Sequence, residues 1–365
     1  MSVPAYFPFT GVRHIMYFDI NIYLSNVAMI YALDFSSWKR SAVCRCFPCV
    51  QVVFISSVDD VPEGGVLLIW GMKSVRGKLA SGVRILRVED GFLRSVGLGV
   101  DLIRPMSWVV DSRGIHYDAT RPSDLEHLLT DTVFSPEVLA RAALLRERVV
   151  AEGLTKYNIG VSGWQRPSGV GKVILVPGQV ESDASMVYGA PNICTNIGLL
   201  EAVRKANPDG YIVFKSHPDV LAGMRAMGAG EDESLRWCDE LVTDAAMGHL
   251  LMAVDEVHVL TSLAGFEALL RCKPVTCYGL PFYSGWGLTT DIVPNSRRCR
   301  QLSLEELVAG ALIEYPLYMS RISDALITPE QALEELLSWR AKTDVTVSWW
   351  RKCFRIILRL VVGVR

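Results

Sequence analysis

Short apolar runs separated by turn residues recur along the chain from about residue 30 onward. Tyr31–Phe35, Gln51–Ser56, Val66–Trp70 and Arg84–Val88 read as strands, the last running straight into Glu89-Asp90-Gly91. Two helices follow with clear start signals. Ser123 with Glu126 makes a capping box, and Ser135-Pro136 supplies an N-cap and a first-turn proline for a helix from Pro136 to Glu152, stopped by Gly153. The polar stretch Ser162–Gly171 reads as a linker. Beyond it the alternation resumes, with strands expected at Val173–Val176, Tyr211–Phe214, Glu256–Leu260 and Pro274–Tyr278. Helices are expected at Cys194–Ala206, near Asp219–Met227 and at Leu263–Arg271. Two more open at Ser303-x-x-Glu306 and Thr328-Pro329-x-Gln331, both capping signatures.

Strands alternating with helices in both halves predict an α/β protein of two Rossmann-like, doubly wound lobes. The expected divisions are an unassigned N-terminal extension (1–28), a first lobe (29–161), a second lobe (172–340) and a C-terminal helix (345–365). Such folds bind ligands where the strands end at their carboxyl edges, so an interlobe cleft is the expected site.

Composition narrows the class. A length of 365 residues with 50% hydrophobic positions supports a sizeable core, and a net charge of −2 argues against a general nucleic-acid binder. The longest uncharged run near the N-terminus, Ile20–Leu33, is 14 residues and includes Asn21, Ser25 and Asn26. It falls short of the roughly 18 apolar residues of a membrane span and lacks a signal-peptide leader, so a cytoplasmic protein is expected. Cys44, Cys46 and Cys49 cluster without a fourth ligand at zinc-site spacing, and no metal site is expected.

Four polar segments fall just after expected strands. Glu89-Asp90-Gly91, with Arg94 close behind, places paired acids where one can act as a general base. Gln179, Glu181 and Asp183 share one loop; Asp183 fits either a carboxylate nucleophile or a helix N-cap. Lys215-Ser216-His217-Pro218 offers donors to an anion beside a rigid backbone. Thr261-Ser262 sets two hydroxyls at the start of a helix that carries Glu267 more than one turn in, an arrangement suited to phosphate. No P-loop and no Asp-x-Asp metal motif accompany them.

The order acid-Asp-Gly, His-Pro, hydroxyl pair resembles the cytidine-monophosphate-sugar transferases of the bacterial sialyltransferase type. The longer strings VEDGFLRSVGLG, PGQVESDAS, KSHPDV, TSLAGFEALLR and CYGLPFYSGWGLT are similar to the KpsC-type capsular polysaccharide β-Kdo transferases. The likeness runs from about Ile30 to about Asp291 and more weakly to residue 340. It implies a GT-B-like architecture and a retaining glycosyltransferase that moves Kdo from CMP-β-Kdo to a glycan or glycolipid acceptor, without metal or cofactor. On this chain it implies Asp183 as the carboxylate that takes up the sugar and Glu89 or Asp90 as the base. His217 and Ser262 would hold the phosphate, supported by Thr261 and Lys215; Glu267 would meet the ribose, and Gln179 or Arg94 the Kdo carboxylate. Two departures stand out: one copy of each motif where family members often carry two modules, and Ser216 where a proline is common. The other readings are a transferase for a different CMP-sugar, such as sialic acid, or a non-catalytic factor working with capsule assembly and export proteins.

The last segment, Trp349–Arg365, carries five basic and no acidic residues, with Arg351, Arg355 and Arg359 four apart. It reads either as a basic amphipathic helix lying on the cytoplasmic membrane surface or as a helix packed on the protein. Removing Trp349–Arg365 is expected to move the protein from the membrane to the soluble fraction on cell fractionation; an unchanged distribution contradicts the membrane-surface reading.

Overall fold

The computed structural model describes residues 24, 27–97, 103–158, 160, 163–221, 223, 225–323 and 325–342. The expected C-terminal helix (345–365) and most of the expected N-terminal extension (1–28) therefore lie outside the described residues.

The chain builds two sheets. The first contains β1 (Met29–Leu33), β2 (Gln51–Ile55), β3 (Val66–Trp70), β4 (Arg84–Asp90) and β5 (Ser107–Asp111). The second holds β6 (Val173–Pro177), β7 (Tyr211–Lys215), β8 (Glu240–Val242), β9 (Glu256–Val259), β10 (Val275–Cys277) and β11 (Thr290–Asp291). The chain then returns, and β12 (Pro316–Met319) and β13 (Leu326–Ile327) complete the first sheet. Strand orders are β13-β12-β5-β4-β3-β1-β2 and β11-β10-β9-β6-β7-β8.

The second sheet is parallel throughout. Its central strand β6, Val-Ile-Leu-Val-Pro, is buried at every position, as expected of a strand covered by helices on both faces. The first sheet differs from the doubly wound expectation. Only β2, β1, β3 and β4 run parallel, while β5, β12 and β13 are added antiparallel. The expected second lobe, 172–340, accordingly supplies residues 316–319 and 326–327 to the first sheet. A short apolar run such as Pro316–Met319 signals burial but not the sheet that buries it.

Local signals place most helices. Ser123 and Ser135 accept hydrogen bonds from the N–H groups of Glu126 and Val138, starting helices Asp124–Asp131 and Pro136–Ala151. Ser303 and Glu306 form a complete capping box. The helix expected near Asp219–Met227 is a single turn, Pro218–Leu221, because Gly223 adopts a left-handed φ of 65° that ends it. Helices Ser37–Cys46 and Met247–Ala253, and strand β5, had no clear pattern in the sequence.

One apolar cluster spans both sheets, running from Phe92 and Leu125 through Val173 and Phe266 to Leu336, and separate clusters pack the other faces of each sheet. A buried charge cluster ties the halves together. Glu126 receives Arg297 Nε at 2.6 Å and Arg298 Nε at 3.0 Å, and Arg298 also donates to the Ser284 carbonyl at 2.9 Å. The Glu126 and Arg298 side chains are 7% and 3% exposed, so neither charge has water to replace its partner. Glu126→Ala is expected to destabilise the protein by about 3 kcal/mol in urea unfolding, because it strands the buried Arg298 charge; a loss under about 0.5 kcal/mol would contradict that role.

Candidate functional site

Parallel strands deliver their carboxyl ends to the same edge, and in both sheets that edge faces one cleft. In the second sheet the chain leaves β6 toward β7 and later returns to β9 on the other side, so β6 and β9 flank a topological switch point. Gln179, just after β6, spans that point: its Nε2 donates to Thr261 Oγ1 at 2.9 Å and its Oε1 accepts from Thr261 N at 3.0 Å. The same crossing exists between β1 and β3 in the first sheet, where Lys39 and Trp70 lie.

The first-sheet wall centres on the end of β4. Glu89 is pushed up to about 7 by burial and by the Asp90 charge, against the pull of Lys39 and Lys156. Its carboxyl accepts from the Asp90 N–H at 3.0 Å and from Tyr117 OH at 3.3 Å. Gly71 makes room for it: a Cβ there would lie 2.7 Å from Glu89 Oε2 and 2.6 Å from Tyr117 Oη. Asp90, by contrast, is paired with Arg94 Nε at 2.6 Å. Arg94 is itself buried, and its other two nitrogens donate to Ser95 Oγ at 2.9 Å and the Ile103 carbonyl at 3.3 Å.

The opposite wall comes from the loops of the second sheet. Asp183 caps helix Ala184–Gly189, accepting from Ser185 N at 2.9 Å, yet remains exposed on the cleft wall. Capping and cleft exposure coexist, because the cap employs Oδ1. Glu181 is turned to structural work, accepting from Asn196 N at 2.8 Å and Ala229 N at 3.1 Å.

His217 Nδ1 accepts from Asp219 N at 3.1 Å, which leaves Nε2 to carry the ring proton. Burial, with the Lys156 charge, lowers its pKa to about 4, so the ring is a neutral N–H donor near pH 7. Lys215 is buried and lowered by desolvation, against the pull of Asp244. Ser262 caps helix Leu263–Leu270, accepting from Ala264 N at 3.3 Å. Glu267, inside that helix, is pushed up to about 7 by burial and accepts from Lys156 N at 2.7 Å.

The cleft has a volume of about 1090 Å³. Glu89, Asp90, Arg94, Gln179, Asp183, Lys215, His217, Thr261, Ser262 and Glu267 all line it. Lys39, Trp70, Tyr117, Lys156 and Tyr157 also line it and were missed from sequence. Lys39 lies 2.9 Å from the Trp70 ring centroid, and burial lowers its pKa to about 8. Its helix has weak amphipathic patterning, and Lys156 sits in an irregular stretch between the sheets, so neither carried a periodic signal. Among the described residues no helix is long and apolar enough to cross a membrane.

Histidine NMR tests the electrostatics directly. His217 is expected to stay in the neutral, Nε2-protonated form down to about pH 5; an imidazolium at pH 6 or an Nδ1-protonated ring would contradict the geometry.

A family described as capsule polysaccharide biosynthesis protein matches residues 68–162 and 165–324. The capsule polysaccharide modification protein LipA of Neisseria meningitidis (serogroup A) is 40% identical over 355 residues, covering 92% of this chain and 50% of LipA. The chain thus spans about half the length of that relative. The lipopolysaccharide-processing protein LpsZ of Rhizobium meliloti is 40% identical over 300 residues, covering 77% of this chain and 68% of LpsZ. Two solved structures of Thermosulfurimonas dismutans KpsC also match. Its beta Kdo 2,7 transferase superposes with a TM-score of 0.73 at 43% identity, covering 85% of this chain and 98% of that one. Its beta Kdo 2,4 transferase gives 0.74 at 30% identity, with the same coverage. A cleft walled by two strand-end acid and donor sets, on a fold matched at this level, therefore places the chain in the capsule polysaccharide biosynthesis protein family, with a close structural match to the KpsC β-Kdo transferases.

Proposed function

We propose that this protein is a retaining β-Kdo transferase of GT-B type, taking CMP-β-Kdo as donor and a glycan or glycolipid as acceptor in surface polysaccharide synthesis. The observation that carries the reading is the meeting of Glu89 and Asp183, from opposite sheets, in one cleft with neutral His217 and a capped helix N-terminus. The likeness to the KpsC transferases supports the choice of sugar.

Asp183 is exposed in the cleft and has an oxygen outside its cap bond, as a nucleophile requires. Its carboxylate attacks the anomeric carbon, and the bond to CMP breaks with its electron pair leaving on the phosphate oxygen. His217 Nε2–H, the Ser262 hydroxyl and the positive end of helix Leu263–Leu270 meet that charge, with Lys215 behind them and Thr261, bonded to Gln179, supporting the loop. Glu267 faces the nucleoside ribose. The acceptor hydroxyl then attacks the same carbon, Glu89 takes its proton, and Asp183 is released, so two inversions give net retention. Glu89 is better suited than Asp90 as the base, because Asp90 is held by Arg94. Its pKa near 7 balances proton affinity against ionisation at neutral pH. The enzyme works on the cytoplasmic side, at the membrane face if the basic C-terminal segment binds lipid.

The test is Kdo transfer from CMP-Kdo to an extracted glycolipid acceptor. Wild type is expected to transfer, Asp183→Ala to lose at least about 1,000-fold in rate, and Glu89→Gln about 100-fold or more. Wild-type protein that leaves CMP-Kdo intact with every acceptor, or an Asp183→Ala variant as fast as wild type, overturns the proposal. The base must be ionised, so the rate should climb with pH through about 7 as Glu89 loses its proton; a flat profile from pH 5 to 8 would contradict that role.

A further inference from the structure

The donor proposed above carries two anionic groups, a phosphate diester and the sugar carboxylate beside the reacting carbon. The phosphate has a built receptor in His217 and the helix N-terminus at Ser262. The carboxylate does not, on the residues the sequence offered for it. Both ends of the Gln179 amide are engaged with Thr261. All three Arg94 nitrogens are engaged, with Asp90, Ser95 and the Ile103 carbonyl. Redirecting either group would break the switch-point bridge or free the Asp90 carboxylate, so neither is poised for a ligand.

Lys156 is in the opposite condition. Its backbone is held from both sheets: its N–H donates to Glu267 Oε1 at 2.7 Å and its carbonyl accepts from Ser95 N at 3.2 Å. The neighbouring Tyr157 carbonyl accepts from Gly97 N at 2.8 Å, and Asn158 Nδ2 donates to the Ser95 carbonyl at 3.0 Å. The main chain is therefore fixed where the two walls meet. The side chain lines the cleft, with its ammonium 5.2 Å from the Tyr157 ring centroid and no ion pair or hydrogen bond to any described residue. Its charge reaches the reacting groups of both walls: it pulls down Glu89 and Glu267 and lowers His116 and His217. Tyr157, Asp90 and Glu89 offset its desolvation from a distance and hold its proton more firmly than usual, while no protein group bonds the ammonium directly, so its contact position is open to an anion from the ligand.

We infer that Lys156 binds the carboxylate of the CMP-activated sugar acid and so selects ulosonic-acid donors over neutral sugars. This rests on the transferase reading above. The carboxylate is bonded directly to the reacting carbon, so an ammonium that holds it in the cleft shared with Asp183 and Glu89 also orients that carbon.

The test compares CMP-Kdo with CMP, which shares the nucleotide and lacks the carboxylate. Titrations use the full chain carrying Asp183→Ala, so that donor is not consumed, with and without Lys156→Met or Lys156→Arg. Lys156→Met should weaken CMP-Kdo binding by about 10- to 100-fold while CMP binding changes less than about 2-fold, and Lys156→Arg should recover part of the loss. Retained CMP binding also shows that the variant is folded. Equal losses for both ligands would move Lys156 to the phosphate, and no loss for either would remove it from the site; both overturn the inference alone. If the Lys156-containing protein binds CMP-Kdo no better than CMP, the inference fails, and if it binds neither, the transferase reading fails with it.

Discussion

A carboxyl group at the buried end of a strand is costly as an anion, and the cleft is organised around that constraint at Glu89. The end of a parallel strand offers a fixed backbone but little water. Glu89 is held there by its neighbour's N–H, Tyr117 and the space left by Gly71. Lys39 and Lys156 supply positive charge without a direct bond, so its proton affinity stays near neutrality. Asp90, the next residue, is instead paired directly with Arg94. Adjacent residues of one strand thus acquire different chemistry because alternate side chains meet different partners.

The second wall depends on the first through short polar ties rather than apolar packing alone. Glu267 binds the Lys156 backbone, Lys156 binds Ser95, and Ser95 donates through its hydroxyl to the Gly97 carbonyl, so the two walls of the cleft are tied together at this point. Farther out, Glu126 with Arg297 and Arg298 pins the first sheet's helix to the loop after β11. The returning strands β12 and β13 bind residues 316–319 and 326–327 into the first sheet.

Much of this was legible in the residues. Caps at Ser123, Ser135, Ser262 and Ser303 locate helix starts because capping is a local bond, independent of the rest of the fold. Strand-end motifs located both walls, since ligand sites in such sheets follow from chain direction. Three things were not legible. The sheet to which Pro316–Met319 belongs is a long-range pairing with β5 that no local pattern encodes. Which candidate donors are already engaged, as Gln179 and Arg94 are, depends on partners distant in sequence or held by tertiary packing. Lys156 and Lys39 gained their place in the cleft from loop and helix geometry, not from a motif.

The central claim is that Asp183 forms a covalent bond to the sugar. Intact-protein mass spectrometry after mixing with CMP-Kdo in the absence of acceptor addresses it most directly. The account predicts a mass increase of one Kdo residue, mapped by peptide sequencing to Asp183 and lost in Asp183→Ala. Transfer to acceptor that proceeds without any such adduct, and gives a product of inverted anomeric configuration, would contradict it.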